Sequence, residues 1–428
     1  MRDKSLTQSR ISGSRMESVL PLLTGSAKVR VVEHYELPKV ASSLADSDAL
    51  ALLDGSSRDA SMLKELRFPH VRAYHVCPSV AQTRWIFPAG PAGRRALDEY
   101  VAQRISGKLL KLFTRVSLWC ERNMLLVATR MFPALEQELA ARLQQPLQLA
   151  YSLGTPGAYS KTTVTILSHE NQVIAFAKAA NSPGACAATL HEEEVLTGLA
   201  SYATLRSQIP EVRASFRLDG VQVLVTSAGP NTPSAKIFGE GHRRFLRVLA
   251  ECTGQPLRFE TSRMWQNMQQ AFARVEAGLT PRWRTRLQAA LQLLGCEFAG
   301  EVVPMGLAHC DFVPWNIRTL ADGRLYVFDW EFAQMQYTPL YDLYHFELMS
   351  SHHLRRRRLD TADALRLLLE AERETPRARL FFLAYLADVS LFYFDALRLG
   401  GGPESGILQD CAQLLDDRER WLAGTRRP

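Results

Sequence analysis

The clearest alternation of apolar and polar positions begins at Leu147. LQLAYSL, KTTVTIL and QVIAFAKAA read as three successive strands, the second and third joined across a short turn at His169–Asn171. SPG breaks the run, and CAATLHEEEVLTGLASY then predicts a helix. FRLDGVQVLVTS predicts a hairpin turning at Asp219–Gly220, followed by the loop AGPNTP. Beyond residue 235 the period lengthens to about 3.6. RRFLRVLAECTG, MWQNMQQAFARVEAGL and WRTRLQAALQLLG predict helices, the strand GRLYVFDW interrupts them, and ALRLLLEAERE, RARLFFLAYLADVSLFYFDALRL and ILQDCAQLLDDRERWL resume them.

Upstream of Leu147 the pattern is weaker. VRAYHV, TRWIF and NMLLVATRMF predict strands, and PALEQELAARL a helix closed by Pro146. Between them Leu97, Val101, Ile105, Leu109, Leu112 and Val116 recur at spacings of three and four, which predicts a helix from Arg94 to about Trp119. Residues 1–60 show little periodicity and read as loosely organised. The expected organisation is thus residues 1–60 as a loose segment, 61–146 as an accessory region, 147–230 as a β-rich lobe ending in a hinge, and 231–428 as a helical lobe. No catalytic constellation is evident in the first third.

Composition narrows the class. Of the 428 residues, 46% are hydrophobic and 22% charged, as in a soluble globular protein, and the net charge of +7 permits an anionic ligand without requiring one. The seven cysteines form no CxxC pair, which disfavours a zinc ribbon, a thioredoxin-like motif or a secreted disulfide framework, and suits a cytoplasmic setting. MRDKSLTQSRISGSR lacks the apolar run of a signal peptide. The most apolar later stretch, Leu380 to Phe394, is shorter than the ~20 residues of a bilayer span and carries Asp388, so it predicts a buried helix.

Candidate chemistry gathers at HCDFVPWNIR, residues 309–318. Asp311 is followed five positions later by Asn316, and Asn316 thirteen positions later by Asp329 at the end of an apolar strand. Two carboxylates and an amide oxygen are hard donors of the kind that hold Mg²⁺, with one carboxylate left to orient or receive the proton of an attacking hydroxyl. By itself the segment also reads as a turn whose Asp and Asn satisfy their own backbone. Lys178 inside AFAKAA is costly unless paired or beside an anion, although a strand-end lysine also reaches solvent. Glu192 shares a helical face with Val195, Leu196 and Leu199, which makes it the buried partner on offer and leaves Glu193 and Glu194 to solvent. In LGTPGAYSK, Gly154 and Gly157 would let backbone amides approach a phosphate and Ser160 would add a hydroxyl, while a plain Gly/Pro turn explains the loop equally well.

Other chemistries fail on residues. A Walker A loop would need glycines where Thr155 and Ser160 stand, no G-x-S-x-G elbow is present, and Val195 occupies the second histidine position of HExxH. The basic run HHLRRRR, residues 352–358, reads mainly as a solvated helix face. Contact of Arg355–Arg358 with a membrane surface, an anionic substrate or nucleic acid is the lesser reading, and no interleaved aromatics support nucleic-acid binding.

The order of these features resembles the protein-kinase-like fold. Within it, HCDFVPWN, VFDWE and PLYDL resemble the aminoglycoside phosphotransferase and choline kinase branch. Cys310 stands where protein kinases have the arginine of HRD, and Trp330–Glu331 replace the Phe–Gly of DFG. The resemblance covers about residues 147–425. It implies an α+β, bilobal fold with a small β-rich lobe, a larger helical lobe and an additional N-terminal α/β region. It also implies an ATP- and Mg²⁺-dependent small-molecule kinase. Asp311 would be the catalytic base, Asn316 and Asp329 the Mg²⁺ ligands, and Lys178 the phosphate contact held by Glu192. Gly154, Gly157 and Ser160 would form the phosphate loop, and backbone around residues 226–229, Ser227 included, would receive the adenine. His309 would be structural, Asp342 would brace the catalytic loop, and Glu331 would assist a second metal through water. The acceptor would be a hydroxyl of a sugar, an aminoglycoside-like compound or another small metabolite. A nucleotide-binding pseudokinase and a protein kinase are the alternatives.

Overall fold

The computed structural model describes residues 15–26, 28–44, 47–100, 105–119, 124–154, 157–233, 236–400 and 406–423. They form an α+β fold of two compact units. The first takes in the chain to Glu193 together with Val212–Ala228, and the second Glu194–Glu211 with the chain from Gly229 onward.

The first unit is built on one ten-stranded sheet. In chain order its strands are β1 (Val29–Glu33), β2 (Ala49–Leu53), β3 (His70–Cys77), β4 (Trp85–Pro88), β5 (Met124–Thr129), β6 (Leu147–Leu153), β7 (Thr162–Ser168), β8 (Val173–Ala180), β9 (Val212–Leu218) and β10 (Val221–Ser227). Their order across the sheet is β1-β2-β5-β3-β4-β6-β7-β8-β10-β9. Only β1 and β2 pair in parallel; every other neighbour is antiparallel. The pairing of β4 with β6, Trp85 opposite Ser152 and Ile86 opposite Tyr151, joins the five upstream strands to the five predicted downstream of Leu147. The β9–β10 hairpin turns at the expected place, with Asp219 and Gly220 both left-handed (φ +46° and +85°), as a tight hairpin turn of matching twist requires.

Side-chain alternation sends successive residues of each strand to opposite faces. One face carries a single core that runs from Ala51, Leu53, Tyr74, Val76, Ile86, Leu125 and Val127 to Leu149, Tyr151, Val164, Ala177 and Val225. Helices α1 (Arg15–Thr24) and α5 (Ala134–Leu143) cover it through Met16, Leu20, Leu23, Leu135 and Leu139. The opposite face packs in two patches. Leu50, Leu52, Leu126 and Ala128 meet Leu63 of α2 (Ser57–Glu65) and Phe68, while Trp85, Phe87, Ala150 and Leu167 meet α3 (Pro91–Glu99) and α4 (Ile105–Trp119).

Two expectations are corrected here. The described part of the segment read as loosely organised contains α1, β1, β2 and the start of α2. The helix expected from Arg94 to Trp119 is two separate helices, α3 and α4, with residues 101–104 outside those described.

Helix α6 (Pro183–Leu199) follows β8. The second unit then comprises α7 (Glu240–Thr253), α8 (Arg263–Val275), α9 (Pro281–Glu297), α10 (Tyr341–Ser350), α11 (Thr361–Ala371), α12 (Ala378–Gly400), α13 (Gly406–Asp416) and α14 (Arg418–Leu422). Short strands β11 (Gln255–Arg258), β12 (Val302–Ala308) and β15 (Gln334–Tyr337) form one small sheet, β13 (Ile317–Thr319) and β14 (Leu325–Val327) another. Helix α12 is long and apolar enough to cross a bilayer, but Leu380 to Leu391 lie almost wholly buried at the centre of this unit's core, as expected of a core helix.

Candidate active site

The segment 309–318 lies between β12 and β13 as a loop held from several sides. Its apolar members are its anchors: Phe312, Val313 and Pro314 are buried, and Phe312 stacks on Phe245 of α7 at 5.9 Å between ring centroids. Asp342, near the N-terminus of α10, accepts backbone N–H bonds from His309 (2.8 Å) and Cys310 (3.0 Å). Burial pushes the Asp342 carboxyl up, against the opposing pull of His309 and those two amides. Cys310 has φ +61° and Asp329 φ +71°, a left-handed conformation that side-chain-bearing residues rarely adopt and that clusters at functional sites.

His309 is wholly buried. Its Nδ1 accepts the Asp311 N–H at 3.2 Å, and its Nε2 lies 3.1 Å from the Phe328 carbonyl. Those partners need a neutral ring protonated at Nε2. Burial accordingly lowers its pKa, outweighing the carboxylates of Asp342, Asp311 and Asp329 that favour the cation. The ring ties the Asp311 loop to the strand end that carries Asp329, and Trp330 packs on it at 4.5 Å.

Asp311 itself is partly exposed. The Asn316 amide nitrogen donates to Asp311 Oδ2 at 2.7 Å and to the Asp311 carbonyl at 3.1 Å. With its NH₂ so used, Asn316 keeps its amide oxygen as the atom for a cation. The Asn316 carbonyl accepts the Phe328 N–H at 3.0 Å, which links the residue before β13 to the residue before Asp329. Asp329 and Glu331 bring carboxylate oxygens within 4.8 Å of each other. The donor set of Asn316, Asp329 and Glu331 consists of hard oxygens and so suits Mg²⁺.

On the other oxygen of Asp311 sits a residue that the motif does not contain. His345 of α10 places Nε2 3.4 Å from Asp311 Oδ1, and its Nδ1 lies 3.5 Å from the hydroxyl of Tyr385 in α12. Sequence reasoning missed His345 because no spacing links it to residue 311. The only local signal is its place one turn after Asp342 in PLYDLYHF.

In the first unit, Lys178 of β8 and Glu192 of α6 form an ion pair, with Glu192 buried and Lys178 largely so. Glu193 differs from its expected solvation: it is half-buried and accepts a 2.6 Å bond from the Ser215 hydroxyl on β9.

The glycine loop also departs from expectation. Gly154 donates its N–H to Lys161 O at 3.0 Å, and a Cβ there would meet that carbonyl at 2.7 Å. Its smallness closes the loop against the start of the next strand, so its amide is not available to a phosphate. Gly157 has open space around it and accepts the Ser160 N–H at 3.0 Å. The loop is fastened to the start of α6 by the Ser182 hydroxyl on Ala158 O (3.0 Å). Thr155 and Pro156 lie outside the described residues. Ser227 ends β10, and the chain passes into the second unit at Gly229, where an added Cβ would strike the Tyr326 ring at 2.3 Å.

Three of the four arginines in the basic run have acidic partners. Arg355 pairs with Glu347, Arg357 with Asp363, and Arg358 with Asp410.

Comparison with known proteins bears on the same part of the chain. Residues 176–381 match the phosphotransferase enzyme family, a span that takes in Lys178, Glu192, Ser227, Asp311, Asn316, Asp329 and Asp342 and leaves out the glycine loop. No curated protein matches the chain in sequence. Among solved structures, a thermostable mutant of aminoglycoside phosphotransferase APH(4)-Ia, in ternary complex with ADP and hygromycin B, is 16% identical, with a TM-score of 0.49 over 68% of this chain and 99% of that one. Choline kinase LicA from Streptococcus pneumoniae is 15% identical, with a TM-score of 0.42 over 66% of this chain and 96% of that one. A Plasmodium vivax ethanolamine kinase is 10% identical, with a TM-score of 0.41 over 77% and 93%. The conclusion rests on the family match rather than on these distant likenesses. The resemblance read from the motifs agrees with this match: residues 176–381 match the phosphotransferase enzyme family, and the chain is a phosphotransferase with an alcohol group as acceptor.

Proposed function

We propose that the chain moves the γ-phosphoryl group of ATP to a hydroxyl of a small molecule, with Mg²⁺ as the resident ion. The observation that carries this reading is the hold on Asp311: Asn316 occupies one of its oxygens through its NH₂, which leaves the Asn316 amide oxygen for a cation, and Asp329 and Glu331 bring carboxylate oxygens within 4.8 Å of each other. Asn316 and Asp329 would hold the ion, with Glu331 near. A divalent cation there supplies charge neutralisation for the phosphates.

The residues divide the remaining work. Lys178, kept in place by Glu192, presents an ammonium to the α/β-phosphates. Asp311 accepts a hydrogen bond from the acceptor hydroxyl, orients its lone pair toward the phosphorus and takes the proton as the new P–O bond forms and the γ-phosphoryl leaves ADP. His309 and Asp342 keep the loop from moving, which is the positioning that phosphoryl transfer mainly needs. Gly157, Ser160 and the backbone near Ser227 are the further nucleotide contacts we assign, with Gly154 acting through loop closure. The described cysteines are all free thiols, which suits the reducing, ATP-rich cytoplasm.

The acceptor class we favour is a neutral or anionic hydroxyl compound, sugar-like or otherwise, because the helical lobe's sequence shows no obvious run of acidic residues of the kind that a polycationic aminoglycoside would call for. A screen of hydroxyl metabolites for Mg²⁺-dependent ADP release tests it. Turnover on at least one alcohol supports the reading; nucleotide binding with no turnover on any of them favours a pseudokinase instead.

A further inference from the structure

Helix α4 carries an apolar face turned away from its own core. Thr114 and Leu118 are buried on its inner side, and Leu118 packs with Trp85, Phe87 and Leu97. Leu109, Leu112, Phe113 and Val116, at i, i+3, i+4 and i+7, form a stripe on the outer side and are 52%, 57%, 70% and 52% exposed. Exposed large hydrophobics occur singly on most surfaces; four in one helical stripe do not.

Charge identifies the occupant. Helix α4 contains Lys108, Lys111 and Arg115 and no acidic residue. Over residues 91–119, spanning α3 and α4, Arg94, Arg95, Arg104, Lys108, Lys111 and Arg115 stand against only Asp98 and Glu99. This stretch of 29 residues therefore supplies +4 of a net charge of +7 for the whole chain. Asp98 is shared between Arg115 and Lys111, and Arg95 pairs with Glu99, so local acids offset only part of the excess. By contrast, Arg355, Arg357 and Arg358 of the later basic run are each matched by an acidic partner.

We propose that α4 docks the protein on an anionic lipid surface, with Leu109, Leu112, Phe113 and Val116 entering the acyl boundary and the flanking cations meeting lipid phosphates. An apolar stripe beside a basic flank is the arrangement by which helices lie in a membrane interface. A second copy of the chain fits less well. Pairing α4 with itself would bring like charges together, and a single convex stripe offers only a few hundred Å² against the ~800 Å² that each partner gives to a stable interface. This inference is independent of the acceptor, the metal and the catalytic residues.

Sedimentation of the full chain with vesicles tests it. Binding is expected to phosphatidylcholine vesicles containing about 30% phosphatidylglycerol and to fall sharply on pure phosphatidylcholine or at high salt. Phe113→Glu is expected to weaken binding by at least ~10-fold, and Lys108→Gln by about 5-fold, with thermal unfolding unchanged because both side chains are exposed. Equal sedimentation of wild type and Phe113→Glu on anionic vesicles would overturn the proposal. So would a dimer in solution that Phe113→Glu dissociates while vesicle binding is absent, since the stripe would then be a contact between copies.

Discussion

Asp311 has one carboxylate oxygen held by Asn316 and the other faced by His345, so its orientation is fixed by two side chains from different elements. The Tyr385 hydroxyl, whose pKa burial raises well above the ordinary tyrosine value, stays protonated and donates to His345 Nδ1, which leaves Nε2–H to point at Asp311. His345→Phe removes that donor. Because a hydrogen bond to a charged group contributes about 1.5–3 kcal/mol, kcat is expected to fall roughly tenfold to hundredfold. KM for ATP should stay within about twofold, and His345→Gln should recover part of the loss, as a positioning role requires. An equal rise in KM with kcat unchanged would place His345 outside this role. Asp311, Asn316 and Asp329 were legible in the sequence because nineteen positions contain them all and their donor types agree. His345 was not, since its approach to Asp311 depends on how α10 lies against the loop. Gly154 was misread for a related reason: a glycine signals close approach without saying to what, and here the neighbour is the Lys161 carbonyl.

At the scale of elements, the helices of the second unit and strands β6 to β10 follow their periodicities closely, whereas the upstream elements hide theirs. Strand β2, ALALL, is buried along its whole length, so it shows no alternation. Helix α1 is only 10 residues long and carries Pro21 inside, so it shows little periodicity. Helix α12 was legible as a buried helix despite its one carboxylate. Asp388 sits beside the hydroxyls of Tyr341 (2.7 Å) and Tyr337 (3.5 Å), and burial pushes its pKa up to about 6 despite them. The folded state thus holds a proton that the unfolded chain, with its ordinary carboxyl pKa of 3.8, has already released. Stability from this group is greatest below the unfolded value and declines as pH rises through the folded one. Above that window the buried charge costs up to ~3 kcal/mol. Asp388→Asn is expected to raise the Tm at neutral pH by several degrees and to flatten the Tm profile between about pH 4 and 6. A Tm profile parallel to wild type would show that Asp388 does not titrate in that range.

At the scale of the whole molecule, the N-terminal region is not an appendage to the β-rich unit but half of its sheet. Strand β6 takes its neighbour from β4, and Tyr74, Val76, Ile86, Leu125 and Val127 share a core with Leu149, Tyr151 and Val164. A chain starting at residue 146 would expose a sheet edge and an open apolar face, and is expected to aggregate rather than fold. A soluble fragment with an unchanged melting curve would contradict that. The expectation of separate segments at 1–60 and 61–146 arose because strand pairing across distant residues leaves no local mark. The proposed activity rests on Asp311. The direct test is Mg²⁺-dependent ADP release on a hydroxyl-metabolite library by wild type and Asp311→Asn, with nucleotide binding followed in parallel. The account predicts that Asp311→Asn keeps nucleotide binding and loses about 10²–10⁴-fold of acceptor-dependent turnover. Wild-type turnover in that variant would contradict it.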